Sequence, residues 1–102
     1  MTEEKTFENK IKKWIESIGG WQVKFFANAY TKKGVPDILA CVNGRFVGIE
    51  VKATKGKPSE LQLHQCMRIR ASGGLAYIVY PSGFEKLKKA IENEESDDLI
   101  LK

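Results

Sequence analysis

"GVPDILACVNGRFVGIEVK", residues 34–52, is the stretch of sequence that decides the fold. Two runs of mostly apolar residues flank Asn43-Gly44. This dipeptide favours a two-residue type I′ turn, in which both central residues need a positive φ. The pattern predicts a β-hairpin with strands over roughly residues 37–42 and 45–53.

The register that follows from this turn places two acids opposite each other. Counting outward from the turn, Asp37 pairs with Glu50, with Cβ atoms about 4.5–5.5 Å apart. Lys52 points to the same face as Glu50, because side chains alternate along a strand. Opposed carboxylates repel each other, so such a pair lowers stability unless a positive charge lies between them.

A divalent metal ion explains this arrangement best, because hard cations such as Mg²⁺ bind through carboxylate oxygens. The alternative is a solvated ion network on an exposed hairpin. Both faces of the hairpin are otherwise apolar, which predicts a sheet covered on both sides and favours the metal site. The residues beside the acids are Leu39, Cys41, Phe46 and Gly48, and the other face carries Ile38, Ala40, Val42, Val47, Ile49 and Val51.

The segment before the hairpin predicts one helix and one strand. Apolar residues recur at helical spacing over residues 4–18, where Thr2 or Thr6 can cap the helix and Gly19-Gly20 ends it. An aromatic and β-branched run then predicts a strand from about Trp21 to Phe26.

The segment after the hairpin predicts helix, strand and helix. The second helix begins at Ser59 and ends at Gly73-Gly74, and a buried strand follows over residues 75–80. Ser82 and Glu85 predict a capping box for the last helix. The order is therefore α-β-β-β-α-β-α, an α/β (α+β) mixed sheet with helices packed on it. We expect one domain over residues 1–102, with residues 92–102 as an acidic and apolar tail.

Composition points to a polyanionic partner. The net charge is +4, but residues 92–98 hold five acids, which leaves residues 1–91 with an excess of eight positive charges. Such a basic body favours nucleic acid. With no apolar run of about 18 residues and a charged N-terminus, the chain is expected to be cytoplasmic, with no membrane partner. Cys41 and Cys66 are expected to be reduced core thiols, and His64 a surface or satisfied helix residue.

The spacing of "PD", twelve residues and "EVK" resembles the motif of the PD-(D/E)XK nucleases, which have a restriction-endonuclease-like core. The wording "GVPDIL…NGRFVGIEVKATKGKPSELQ…GG" is closer still to the VRR-NUC group, whose stand-alone members include phage proteins. The likeness runs from the first helix to the strand after Gly74. It implies a location in the cytoplasm of a phage-infected or bacterial host.

The resemblance implies a role for each matching residue. Asp37, Glu50 and the backbone carbonyl of Val51 would bind Mg²⁺, with Mn²⁺ able to substitute. Lys52 would be the catalytic lysine that positions water and stabilises charge on the phosphate.

Further roles are implied outside the acidic hairpin. Glu8 would be an additional acid on the first helix, with Glu4 as the alternative. Gln62 would be a catalytic glutamine, although it also fits a capping box with Ser59. Five lysines would meet DNA phosphates: Lys24, Lys32, Lys33, Lys55 and Lys57.

The implied function is a Mg²⁺-dependent endodeoxyribonuclease that cuts branched DNA such as Holliday junctions. Alternatives are a non-catalytic DNA-binding module of the same fold and a small protein that binds an acidic partner. We also expect a homodimer, formed by the aromatic run Phe25–Tyr30 and the apolar tail Leu99–Leu101. The alternative for the tail is that it folds back on the protein's own sheet.

Overall fold

The hairpin lies at the centre of a five-stranded sheet. In a computed structural model that describes residues 1–102, Asn43 and Gly44 have φ values of 52° and 77°, as the predicted turn requires. Val42 pairs with Arg45 and Ile38 pairs with Ile49, so the predicted register is confirmed. The expected mixed sheet with packed helices is also confirmed.

The chain forms three α-helices and five strands. The helices are α1 (Glu3–Ser17), α2 (Glu60–Ala71) and α3 (Phe84–Glu92), and the strands are β1 (Trp21–Lys24), β2 (Ile38–Val42), β3 (Arg45–Val51), β4 (Leu75–Val79) and β5 (Ile100–Leu101). The sheet order is β1-β2-β3-β4-β5. The pairs β1–β2 and β2–β3 are antiparallel, whereas β3–β4 and β4–β5 are parallel. No helix has the length and apolar character needed to cross a membrane.

The two faces of the sheet differ in how they are covered. One face packs against α1 and α3 and contains the main core. The other face packs against α2, with Cys66, Ala76 and Ile78 in a smaller cluster. Because α2 packs mainly on β4 and β3, the prediction of a sheet covered on both sides is wrong near β1 and β2. Cys41 is therefore exposed rather than a core thiol, whereas Cys66 is buried as expected.

The start of α3 differs from the predicted capping box. Pro81–Gly83 forms a short 3₁₀ turn, and Gly83 is the N-cap of α3, so the Ser82 side chain does not cap the helix. A side chain at position 83 would collide with the backbone carbonyl of Leu101. The close approach of β5 therefore selects glycine at this position, and glycine provides no capping oxygen.

The apolar tail is not the free interaction segment that the sequence suggested. It forms β5, in which Ile78 pairs with Ile100 and Val79 with Leu101. Leu101 is only 5% exposed and belongs to the main core, whereas its neighbour Ile100 is 40% exposed. Burial within the protein's own sheet explains the apolar tail without a second subunit.

Leu101→Ala should therefore lower the free energy of unfolding by about 2–4 kcal/mol, because it leaves a cavity under β5. Ile100→Ala is the matched control and should cost less than about 1 kcal/mol, since that side chain faces partly to water. Urea unfolding of both variants measures the difference. Equal effects of the two substitutions would contradict the packing of β5 described here.

Candidate functional site

The two acids of the hairpin meet where β2 begins and β3 ends. The Asp37 carboxylate lies directly before β2, and its Oδ2 accepts a hydrogen bond of 3.0 Å from the backbone N–H of Val51. Its carbonyl accepts another from the N–H of Phe25 at 2.8 Å. Asp37 is thus fixed by a backbone group of β3 and by one directly after β1, although it lies outside a regular strand itself.

Glu50 is buried at the centre of this site. Its side chain lies in the sheet, and the residue is only 3% exposed. Oε2 accepts a hydrogen bond from Gln62 Nε2 at 2.9 Å and lies 3.3 Å from Lys52 Nζ. Oε1 has no hydrogen-bond partner. A buried carboxylate oxygen without a partner lowers the stability of the fold. Glu50 Oε1 therefore lacks an interaction that would offset the cost of its burial.

The environment of Glu50 disfavours its charged form. Burial and the neighbouring Asp37 carboxylate raise the pKa of Glu50 to about 7, although Lys52 opposes them. Nearby Cys66 responds to the same surroundings, since burial and the Glu50 charge raise the pKa of its thiol to about 11. Cys66 is therefore a protonated packing residue beneath the site rather than a nucleophile.

Gln62 forms the predicted helix cap and also contacts the acidic site. Its Oε1 accepts a hydrogen bond from the backbone N–H of Ser59 at 2.9 Å, and its own N–H donates to Ser59 Oγ at 3.1 Å. This is a complete capping box at the start of α2. The amide nitrogen of the same side chain donates to Glu50. The helix cap and the acidic site therefore share one side chain.

Glu8 lies next to the acidic pair but is surrounded by lysines. Its carboxylate is 2.7 Å from Lys24 Nζ, 3.1 Å from Lys5 Nζ and 3.4 Å from Lys12 Nζ. Burial alone would raise the pKa of Glu8, but the contacts with Lys24 and Lys5 outweigh it and lower the pKa. Lys5 and Lys12 were not among the predicted site residues, although their spacing of three and four residues from Glu8 is the signal for such helical pairs.

Lys24 connects Glu8 to the acidic pair. Its Nζ also lies 3.4 Å from Asp37 Oδ1. Burial opposes the charge on Lys24, but the two acids outweigh it and raise its pKa. The structure thus places Lys24 inside the acidic site, while the alternative acid Glu4 lines a pocket beside it together with Glu8 and Lys24.

The two basic loops come before Asp37 and after Lys52 in the chain, and the second is held firmly. Lys32 and Lys33 are exposed in the segment before Asp37, and Lys55 and Lys57 are exposed in the segment after Lys52. The later loop is fixed because Glu3 accepts hydrogen bonds from the N–H and hydroxyl of Thr54 at 2.7 and 2.8 Å. Tyr80 adds a hydrogen bond of 2.7 Å to the Gly56 carbonyl. No sequence pattern indicated these contacts.

The donor set at this position fits a hard divalent cation. No group of three or more His, Cys, Asp or Glu side chains comes together in the structure, which argues against a closed structural metal site of the zinc type. Mg²⁺ needs less from the protein, since it is usually bound through one or two carboxylates plus waters and substrate phosphates. Asp37 and the unpartnered oxygen of Glu50 match that requirement.

The chain is similar to known proteins in family, in sequence and in structure. Residues 3–89 match the family described as "Archaeal holliday junction resolvase (hjc)". The chain is 34% identical over 71 residues to "Putative nuclease p44" of Acyrthosiphon pisum secondary endosymbiont phage 1, covering 69% of this chain and 74% of that protein. A solved structure described as "VRR_NUC domain" superposes with a TM-score of 0.70 at 26% identity, covering 90% of this chain and 97% of the other.

These findings define the class of protein as a VRR-NUC-like nuclease with a restriction-endonuclease-like fold. The chain belongs to the Holliday junction resolvase (Hjc) family and is a DNA endonuclease.

The raised pKa of Glu50 should make the stability of the metal-free protein depend on pH. Because its folded-state pKa is raised from 4.5 to about 7, the folded protein holds this proton more tightly than the unfolded chain does. Its contribution to stability is therefore fully present below pH 4.5 and is lost as the pH rises through 7. Glu50→Gln should remove this loss and raise the free energy of unfolding above pH 7 by up to about 3 kcal/mol.

Urea unfolding in chelator across this pH range measures the difference between Glu50→Gln and the unmodified protein. Glu92→Gln, an exposed substitution on α3, is the control and should follow the unmodified protein. A stability difference that does not change with pH would contradict the raised pKa.

Proposed function

We propose that the protein hydrolyses phosphodiester bonds in branched DNA and depends on Mg²⁺, for which Mn²⁺ can substitute. The observation that carries this proposal is the buried Glu50 oxygen without a partner, beside the Asp37 carboxylate and the Lys52 ammonium. Two acids held close together at a cost in stability are typical of a functional site. Asp37, Glu50 and the Val51 carbonyl would hold the cation, which when bound supplies Lewis-acid activation of water and phosphate.

The remaining residues of the site support hydrolysis in distinct ways. Lys52 places a positive charge beside the acids, where it can stabilise the negative charge that develops on the phosphate. Gln62 orients Glu50 by a hydrogen bond, as residues that support metal ligands commonly do. We assign Lys24 to the orientation of Asp37 in addition to contact with DNA phosphate. Glu8 contacts three lysines and stabilises their positive charges. For Glu8 to reach the metal through a water molecule, Lys24 would have to move.

The basic loops would hold the DNA backbone on either side of the acids. Lys32, Lys33, Lys55 and Lys57 are exposed and form no ion pairs in the structure. Contacts of this kind position a duplex without reading its sequence. A preference for branched DNA would then depend on shape rather than on base identity.

Cleavage assays with purified protein test the assignment of the site. Asp37→Asn and Lys52→Ala should each lower the cleavage rate at least about 100-fold, because each removes a charge that acts in the transition state. Chelator should abolish activity, and Mg²⁺ or Mn²⁺ should restore it. Lys13→Ala on the exposed side of α1 is the matched charge control and should retain activity.

Retention of more than a few per cent activity in either site variant would exclude these roles. Binding of DNA without cleavage under any of these conditions would identify the non-catalytic module instead. Circular dichroism of each variant separates loss of chemistry from loss of fold.

We further propose a homodimer, since two symmetric cuts in a junction require two active sites. The apolar tail no longer supports this assembly, because it forms β5. The support is now the open edge of the sheet at β1 and the loop that follows it. Trp21 and Phe26 are exposed there, and Tyr30 is 98% exposed. An unpaired edge strand with large apolar neighbours is a ready surface for association.

Light scattering and a panel of DNA structures test assembly and preference together. A dimer at micromolar concentration should cut four-way junctions faster than linear duplex. Trp21→Asp with Phe26→Asp should shift the protein to monomer, whereas Met67→Asp on the exposed face of α2 should not. A monomer that cuts duplex and junctions equally would refute both proposals.

A further inference from the structure

A second concave surface lies on the same sheet face as the acids, toward the beginning of β3. It is an open groove of about 580 Å³ between α2, the beginning of β3 and the loop that carries Lys32. Its lining includes Lys32, Phe46, His64, Gln65, Arg68 and Ile69. No acidic residue lines the groove, so its charge complements a polyanion.

Arg68 is the feature that distinguishes this groove from the rest of the basic surface. The chain has three arginines. Arg70 donates to the carbonyls of Ala76, Ser96 and Asp98, and Arg45 donates to the carbonyl of Gly73 and contacts Glu94. The Arg68 guanidinium makes no hydrogen bond or ion pair within the protein. Its donors are thus available to a ligand with the geometry of a phosphate.

Phe46 gives the groove an aromatic wall. It extends from β3 on the incompletely covered face of the sheet and is 44% exposed. Its cross-strand partner Cys41 is also exposed. An exposed aromatic ring beside unpaired cations is the combination by which proteins bind single-stranded nucleic acid, since bases stack on the ring while cations contact the backbone.

The opposite wall of the groove is preformed. Gln65 Nε2 donates a hydrogen bond of 3.2 Å to the carbonyl of Lys33, which fixes the loop carrying Lys32 to α2. Gly34, with φ +82°, lies so close to the carbonyl of Leu61 that a side chain there would collide with it. Lys32 and Arg68 are therefore held on neighbouring elements before any ligand binds.

The groove lies at a useful distance from the acids. Phe46 and Glu50 project from the same face of β3, four residues apart, which corresponds to about 13 Å along the strand. Between them lies Gly48, where a Cβ would approach Ile69 Cδ1 to 2.9 Å and Pro36 Cγ to 3.0 Å. Since one nucleotide spans about 3.4 Å along a duplex and more in an extended single strand, this separation corresponds to at most about four nucleotides.

We infer that this groove binds an unpaired nucleotide of the DNA, with its base stacked on Phe46 and its phosphate bound by Arg68 and Lys32. This inference rests on the proposed function, because it takes the substrate at the acids to be DNA. It adds a separate site, which binds an unpaired nucleotide a few nucleotides from the cut. Branch points and gaps expose such nucleotides, whereas continuous duplex does not.

Fluorescence anisotropy in chelator tests the inference with two probes. One is a continuous duplex, and the other is the same duplex interrupted by a short single-stranded gap that contains 2-aminopurine. The unmodified protein should bind the gapped probe more tightly and quench the 2-aminopurine. Phe46→Ala should weaken binding of the gapped probe by about 5- to 100-fold and abolish the quenching, with little effect on the duplex.

Matched variants distinguish stacking from other effects. Phe46→Trp should retain both the preference and the quenching, because it keeps an aromatic face. Arg68→Ala should weaken binding of the gapped probe, whereas Met67→Ala, at an exposed position on the same helix, should not. Lys13→Ala controls for a general loss of positive charge.

Four results would contradict the inference. Phe46→Ala with an unchanged preference for the gapped probe would show that the ring does not bind a base. A shift from dimer to monomer in Phe46→Ala, without a change in affinity for the gap, would identify the groove as a subunit interface. Absence of binding to both probes by the unmodified protein would remove the proposed function itself, whereas cleavage of duplex alongside an unaffected Phe46→Ala would remove only this site.

Discussion

The two-residue turn at Asn43-Gly44 determines which side chains meet at the far end of the hairpin. Because strand periodicity is two, a slip of one residue would send Glu50 to the face covered by α1 and α3 and separate it from Asp37. Positive φ at both turn residues selects the observed register. The backbone N–H of Val51 then holds the Asp37 carboxylate where that register places it. The remaining polar contacts of the site are built around this pair.

The acidic pair is stabilised by cations that belong to different parts of the chain. Lys52 lies directly after the end of β3, two residues beyond Glu50, while Lys24 comes from β1 and also pairs with Glu8 on α1. These contacts offset part of the repulsion between the carboxylates, but one oxygen of Glu50 stays unsatisfied. Removal of one member of such a network leaves a buried charge without its partner. This commonly lowers the stability of a protein more than the loss of a surface ion pair does. The network therefore couples α1, β1 and β3 through electrostatics as well as through packing.

Local patterns in the sequence were sufficient for most of the fold, because the relevant signals lie within a few residues. The hairpin register, the helix after Ser59 and the order of the first seven elements all depend on turn chemistry, caps and periodicity. The errors concern contacts between distant segments. Cys41 has apolar neighbours, yet it is exposed because α2 covers only part of its face. The two residues of β5 gain their structure from pairing with β4, and Ser82 does not cap α3 because Gly83 lies against Leu101.

The candidate site shows the same difference between local patterns and contacts of distant segments. The opposition of Asp37 and Glu50 follows from counting residues, and the resemblance to a nuclease group pointed to Lys52, Gln62 and Glu8. That Gln62 serves the helix cap and Glu50 together could not be read from its spacing, because the second bond spans two elements. The lysines around Glu8 and the anchoring of the later basic loop by Glu3 and Tyr80 likewise depend on tertiary proximity.

The acidic segment has a fixed position, which makes the charge distribution of the protein asymmetric. Residues 92–98 carry five acids, and Arg70 holds the carbonyls of Ser96 and Asp98 against the edge formed by β5. Glu94 contacts Arg45 at the beginning of β3, whereas Glu50 lies near the end of that strand. The loop that carries Lys55 and Lys57 follows the end of β3, so it and the acidic segment contribute charges of opposite sign at opposite ends of this strand. The field of a polyanion exerts a torque on such a charge distribution, which would favour approach with this loop toward the phosphates before any contact forms.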